Sequence, residues 1–137
     1  MAERVNGILL DTSVVVAHLR GRIDLQNLAA ADEPLFLPLV ALGELYRGVL
    51  KSARPEFNRA KVDEFLEIAA VLSPDVATAD IYARIAQALE VKGTPIPEND
   101  IWIAAVALEC EMPLAIPVTT TFGRSISWTF SGGEPSP

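Results

Sequence analysis

Apolar positions along the chain fall into two alternating rhythms. Val5 to Leu10 and Leu35 to Leu37, the latter bounded by Pro34 and Pro38, are short apolar segments of strand length. After each, apolar residues recur at helical spacing. Val14 to Leu19 predicts a helix opened by Thr12 or Ser13 and stopped at Gly21; about Val40 to Leu50, with Leu42, Leu45 and Val49 in phase, predicts another. Asn58 to Glu67 follows as a helix turning Val62, Phe65 and Leu66 inward. Ile68 to Leu72 is then a strand ended by Ser73-Pro74. Val76 to Lys92 places Val76, Ile81, Ile85 and Leu89 on one helical face, with Gly93 as the stop. Beyond a loop with two prolines, Asp100 to Cys110 is apolar nearly all round, which predicts a buried central helix, and Pro113 to Ile116 returns to the sheet. Strands alternating with helices predict an α/β fold of three layers, α/β/α, around a central parallel sheet.

After Ile116 the rhythm stops. Residues 118–137 are rich in Thr, Ser and Gly without a regular apolar period, so the reading is one domain over 1–117 and an atypical, poorly ordered tail over 118–137. With 137 residues, half of them hydrophobic, the chain can bury a single core. Its longest apolar run, Ile101 to Leu108, is too short to span a bilayer, and no secretory pattern opens the sequence; the expectation is a cytoplasmic protein that does not enter membranes. A lone cysteine, Cys110, makes no internal disulfide, and a lone histidine, His18, sits in an apolar run. Zinc sites and histidine-assisted nucleophiles therefore lack their parts. A net charge of −7 argues against holding nucleic acid by bulk attraction. It leaves room for carboxylates gathered around a divalent cation, which reverses the local field.

Three acids fall where a parallel sheet places its ligands, at the carboxyl ends of strands. Asp11 follows Ile8-Leu9-Leu10, Glu44 lies a turn into the helix after the second strand, and Asp100 begins the apolar helix. Singly, each has a structural explanation: capping for Asp11, a helix-dipole partner for Asp100, a solvated side chain for Glu44. Together, oxygen ligands without His or Cys suit Mg²⁺ or Mn²⁺, which can activate water against a phosphodiester.

Three segments, Leu9-Leu10-Asp11-Thr12-Ser13-Val14, Ala41-Leu42-Gly43-Glu44-Leu45-Tyr46-Arg47-Gly48 and Pro97-Glu98-Asn99-Asp100-Ile101-Trp102-Ile103-Ala104-Ala105, closely resemble the PIN-domain ribonucleases of VapC-type toxins. The likeness spans residues 7 to about 116. It implies a PIN fold, Mg²⁺-dependent RNA cleavage, a cognate VapB-type antitoxin that silences the enzyme, and a homodimer. By the same resemblance Asp11 and Asp100 are the principal metal ligands, while Glu44 holds the metal through water or positions the nucleophile. Thr12 or Ser13 assists, and Arg47 is either a phosphate contact or a solvated helix residue. Glu98 and Asn99 read as loop and cap residues, and Trp102 as core.

The chain departs from the family at a fourth acidic position. There the family places Asp or Asn before a Phe, whereas here Thr119 stands three residues before Phe122. A hydroxyl can bond a metal's water but adds no charge. Two readings follow: an endoribonuclease toxin impaired by that loss, or a PIN-fold module that binds antitoxin or RNA without cleaving. A flavodoxin-like phospho-acceptor domain also puts an aspartate after a strand, but has little need for Glu44 and Asp100 together. The codons from Pro117 to Phe122, read one base earlier, permit Arg-Asp-Asn-His-Phe, because each threonine codon then contributes an N-A-C triplet. Through Glu134 the same frame permits further apolar residues, a Trp and a stop.

Overall fold

The computed structural model describes residues 7–25, 33–120 and 123–128, the last segment and 117–120 through their backbone. Among them, five strands form one sheet: β1 (Ile8–Leu10), β2 (Leu35–Pro38), β3 (Ala69–Leu72), β4 (Leu114–Thr120) and β5 (Gly123–Trp128), in the order β3-β2-β1-β4-β5. The first four run parallel, with Ile8 opposite Leu35, Leu9 opposite Leu114 and Phe36 opposite Ala70. β5 runs antiparallel to β4. The α/β/α expectation with a central parallel sheet holds.

Five helices connect the strands: α1 (Thr12–Leu19), α2 (Leu39–Lys51), α3 (Pro55–Phe65), α4 (Val76–Lys92) and α5 (Glu98–Glu109). α1 packs on α2 and α2 on α3, while α4 packs on α5. Parallel crossovers are right-handed, so connections moving from β1 to β2 to β3 cover one face, and the return from β3 to β4 covers the other. The chain therefore leaves β1 toward β2 and later re-enters beside β1 as β4. The crevice at the carboxyl end of β1 is where strand order reverses, the place such sheets hold ligands.

The core explains why β1 is central. Leu9, Leu10, Leu37, Val14, Val15, Ile103 and Met112 are fully enclosed, so a strand of three residues is covered on both faces. Gly7 precedes it at φ +147, where a Cβ would lie 2.5 Å from Phe36 Cε2 and 2.8 Å from the Pro34 carbonyl; only glycine fits there.

Several expectations are corrected. Two details of α1 hold instead: it opens at Thr12, and Asp11 caps it, its carboxylate accepting from the Ser13 N–H at 3.1 Å because its extended backbone leaves it just outside the first turn. α3 starts at Pro55, a residue suited to a first helical turn, and α5 starts at Glu98 instead of Asp100. Val76 does not face inward; it is 88% exposed, because among the described residues α4 packs chiefly on α5 and buries only Thr78. Within the stretch read as a tail from residue 118, β4 continues to Thr120 and pairs with β5 from Ala115–Trp128 to Thr120–Gly123. Val118, Thr119, Thr120 and Ile126 are β-branched residues that favour extended backbone. The rest of that tail, 129–137, and the strand start expected at Val5 and Asn6 lie outside the described residues.

Candidate functional site

The end of β1 sets the first acid. The Asp11 N–H donates to the Ala115 carbonyl of β4 at 3.0 Å, so the backbone stays in the sheet up to the residue that opens α1. Its half-buried carboxylate is then aimed by the Ser13 N–H. Leaving β2, Pro38 is the residue before α2, and the second turn of that helix carries Glu44, also half-buried. The two elements meet side chain to side chain: the Thr12 hydroxyl donates to Glu44 Oε1 at 2.6 Å, across 32 residues of sequence. Asp100 lies in the first turn of α5, where unpaired N–H groups favour a carboxylate, and it is exposed to solvent.

Electrostatics join the three. Burial raises the Asp11 carboxyl above its ordinary value of 3.8; hydrogen bonds from Ser13 pull it back, and the Glu44 charge pushes it up again. Local desolvation raises Asp100 first, followed by the charges of Asp11 and then Glu44. Asp11, Glu44 and Asp100, on three separate elements, are thus near enough for the charges of Asp11 and Glu44 to act on Asp100 and that of Glu44 on Asp11. Yet among the described residues no three His, Cys, Asp or Glu side chains are grouped tightly enough to hold a metal ion between them. The donor set still fits a hard cation such as Mg²⁺, which binds through one or two carboxylates and keeps its other positions for water. A cation there would also relieve the repulsion that raises Asp11 and Asp100.

Ser13 is exposed and reaches Asp11 through its backbone, and Arg47 is an exposed residue one turn beyond Glu44. Thr119 lies in β4 opposite Arg124. Glu98 shares the first turn of α5 with Asp100 but is engaged by the Tyr82 hydroxyl, and successive helical positions set the two acids on different sides. Trp102 is only half-buried and stacks on Tyr82 with centroids 4.1 Å apart. His18 has a structural role: Nδ1 accepts from the Leu25 N–H at 3.2 Å, and its ring packs tilted against Phe65. Burial, then the charges of Glu109 and Asp75, push the Cys110 thiol above its ordinary value of 9.0, which disfavours the thiolate a nucleophile needs.

A cavity of about 260 Å³ opens beside Glu44, between α1, α2 and α3. Val16, Leu19, Leu45, Val49 and Val62 line it, with Arg20 and Lys61 at its margin. Sequence periodicity marks those apolar positions as helix faces but does not reveal that they border one opening. Among the described residues no helix is long and apolar enough to cross a membrane.

Residues 8–116 match the PIN domain family model. Ribonuclease VapC2 of Rickettsia felis is 30% identical over 104 residues, which cover 73% of this chain and 78% of that protein. Ribonuclease VapC2 of Haemophilus influenzae is 32% identical over 102 residues, 72% of this chain and 76% of that protein. In three dimensions the chain resembles the crystal structure of VapBC2 from Rickettsia felis bound to a DNA fragment from their promoter. The TM-score is 0.76 at 27% identity, over 84% of this chain and 90% of that one. The family model ends at Ile116, where the apolar rhythm stops, and it covers β1 to β3, the start of β4 and all five described helices: the chain belongs to the PIN domain family and is a relative of the VapC ribonucleases.

Proposed function

We propose that this protein is a Mg²⁺-dependent endoribonuclease, the toxin of a toxin–antitoxin pair, acting in the cytoplasm. The observation that carries the reading is the shared field of Asp11, Glu44 and Asp100 at the carboxyl end of β1, on a fold whose relatives are ribonucleases. Asp11 and Asp100 would hold the cation, with Mn²⁺ an alternative to Mg²⁺. When bound, the metal would supply an activated water and neutralise charge on a phosphodiester. Asp11 is oriented for this by the Ser13 N–H, which donates to its Oδ2. Glu44 is held by Thr12 through Oε1, and its remaining oxygen would position the attacking water by accepting a hydrogen bond from it. Arg47, one turn along α2, would meet a phosphate of the RNA.

For the antitoxin, the cavity between α1, α2 and α3 offers an apolar floor of the kind an amphipathic helix enters. Several solved relatives in the same fold are toxin–antitoxin complexes, which supports such a partner. For a homodimer, α4 supplies the exposed apolar residues Val76 and Val91. Cleavage of RNA by antitoxin-free protein, dependent on Mg²⁺ and lost in Asp11→Asn and Asp100→Asn, tests the reading. A second reading is favoured by Thr119 at the fourth acidic position and by the absence of a tight three-acid group among the described residues. It is a PIN module that binds antitoxin without cleaving, and the same assay separates the two.

A further inference from the structure

Positive charge in this acidic chain is concentrated in one stretch of the sequence. Residues 46–61 hold five basic side chains against one acid, while the rest of the chain holds six basic and seventeen acidic residues. Of the five, Arg59 pairs with Asp63 at 3.2 Å; Arg47, Lys51, Arg54 and Lys61 form no ion pair among the described residues. Helical spacing on α3 sets Arg54 and Lys61 against a single ring: they lie 4.0 and 5.1 Å from the centroid of Phe57, itself 46% exposed. On α2, Glu44, Arg47 and Lys51 follow one another at spacings of three and four, one stripe of the helix. Lys61 lines the same cavity as Glu44. Two glycines interrupt α2, Gly43 and Gly48, and a Cβ at either would meet nothing within 4 Å. Glycine weakens a helix interior, and among the described residues no contact accounts for these two; bare backbone beside the cations leaves room for close approach.

We propose that this face of α2 and α3 carries the RNA strand to the site, with Arg47, Lys51, Arg54 and Lys61 on its phosphates and a base stacked on Phe57. The inference rests on the ribonuclease reading above. Cations that track a backbone, together with an exposed aromatic ring, are what single-stranded nucleic acid requires, since every base has a flat face and every linkage a charge. An acidic peptide would use the cations without needing the ring. The arrangement also explains how a net charge of −7 coexists with RNA binding: attraction is local, on the edge beside Glu44, while the remaining surface repels.

The test is binding of a fluorescein-labelled single-stranded RNA of mixed sequence by the full chain carrying Asp11→Asn, followed by anisotropy from low to moderate salt. Four phosphate contacts predict a slope of log affinity against log salt near about −3, and each of Lys51→Gln, Arg54→Gln and Lys61→Gln should reduce it by about 0.7. Lys61 also donates to the Leu19 carbonyl at 3.4 Å, so Lys51 and Arg54 are the decisive positions if its variant folds poorly. Phe57→Ala should weaken binding roughly 5- to 100-fold with the slope kept. Arg84→Gln, on α4 and paired with Asp80, should change neither. The proposal is overturned if the parent binds no RNA, if Lys51 and Arg54 variants keep the parent's slope, or if they lose antitoxin while RNA affinity is unchanged. Cleavage by the wild-type chain with Mg²⁺ reports separately on the ribonuclease reading: a cleaving enzyme whose variants keep the parent's slope overturns only the track.

Discussion

Replacing Asp11 with Asn should stabilise the metal-free fold near neutral pH and remove its response to Mg²⁺. Asn caps a helix about as well as Asp, so the hydrogen bond from Ser13 is kept and the change isolates the charge. In the native state burial, helped by Glu44, raises the Asp11 carboxyl above the 3.8 it has when unfolded. A carboxyl with a raised native value binds its proton more tightly when folded. Its contribution is therefore most favourable below 3.8 and is lost as pH climbs through the native value. Asn has no such loss, so the variant's advantage should be largest near neutrality and shrink toward acid. Metal reverses the order. At 100 times its dissociation constant a ligand of the native state adds about 2.7 kcal/mol, on the order of 10 °C in Tm for a domain of this size. Wild type should gain that shift and Asp11→Asn almost none. Thermal unfolding of both proteins, across pH and with or without Mg²⁺, reads all of this. A variant less stable than wild type without metal at neutral pH, or one that gains as much from Mg²⁺, would refute the reasoning.

Three further outcomes follow from the same geometry. Gly7→Ala forces a Cβ to 2.5 Å from Phe36 at a φ of +147 and should cost about 2–5 kcal/mol in urea unfolding; a cost near zero would contradict the backbone entering β1. Thr12→Val removes the hydroxyl that holds Glu44 and should cost about 1 kcal/mol of stability and roughly tenfold in cleavage, with Thr12→Ser restoring both; a Val variant cleaving like wild type would free Glu44 of the role proposed for it. If a one-base shift near Ile116 made the polar C-terminal stretch, the coding DNA will give Asp in the earlier frame near Thr119 and a stop near Glu134, and a frame-corrected protein will bind metal more tightly. Codons that cannot give that Asp, or an earlier frame without that stop, dismiss the shift.

Much of the site was legible because a parallel sheet converts order in sequence into position. An acid after Ile8-Leu9-Leu10 and an acid at the head of an apolar helix must both reach the carboxyl edge. Less legible was what depends on partners far along the chain. Nothing near Thr12 announces that its hydroxyl will meet Glu44, and the cap fell to Asp11 because backbone angles, not residue preference, choose among neighbouring candidates. Periodicity placed Val76 on a face but could not say that α4 packs chiefly on α5. Phe57 escaped notice for a similar reason: its value depends on Pro55 starting α3 early enough to bring Arg54 and Lys61 to one ring. In β4 and β5 polar composition concealed β-branched residues able to pair.

The central claim is that Asp11, Glu44 and Asp100 serve one cation and one reaction. Its most direct measurement is cleavage of RNA by purified, antitoxin-free protein over a Mg²⁺ titration, for wild type, Asp11→Asn and Asp100→Asn, with circular dichroism on each to confirm the fold. The account predicts products that appear with Mg²⁺, vanish with chelator and are absent from both folded variants. Folded variants that cleave like wild type, or wild-type cleavage indifferent to metal, would contradict it.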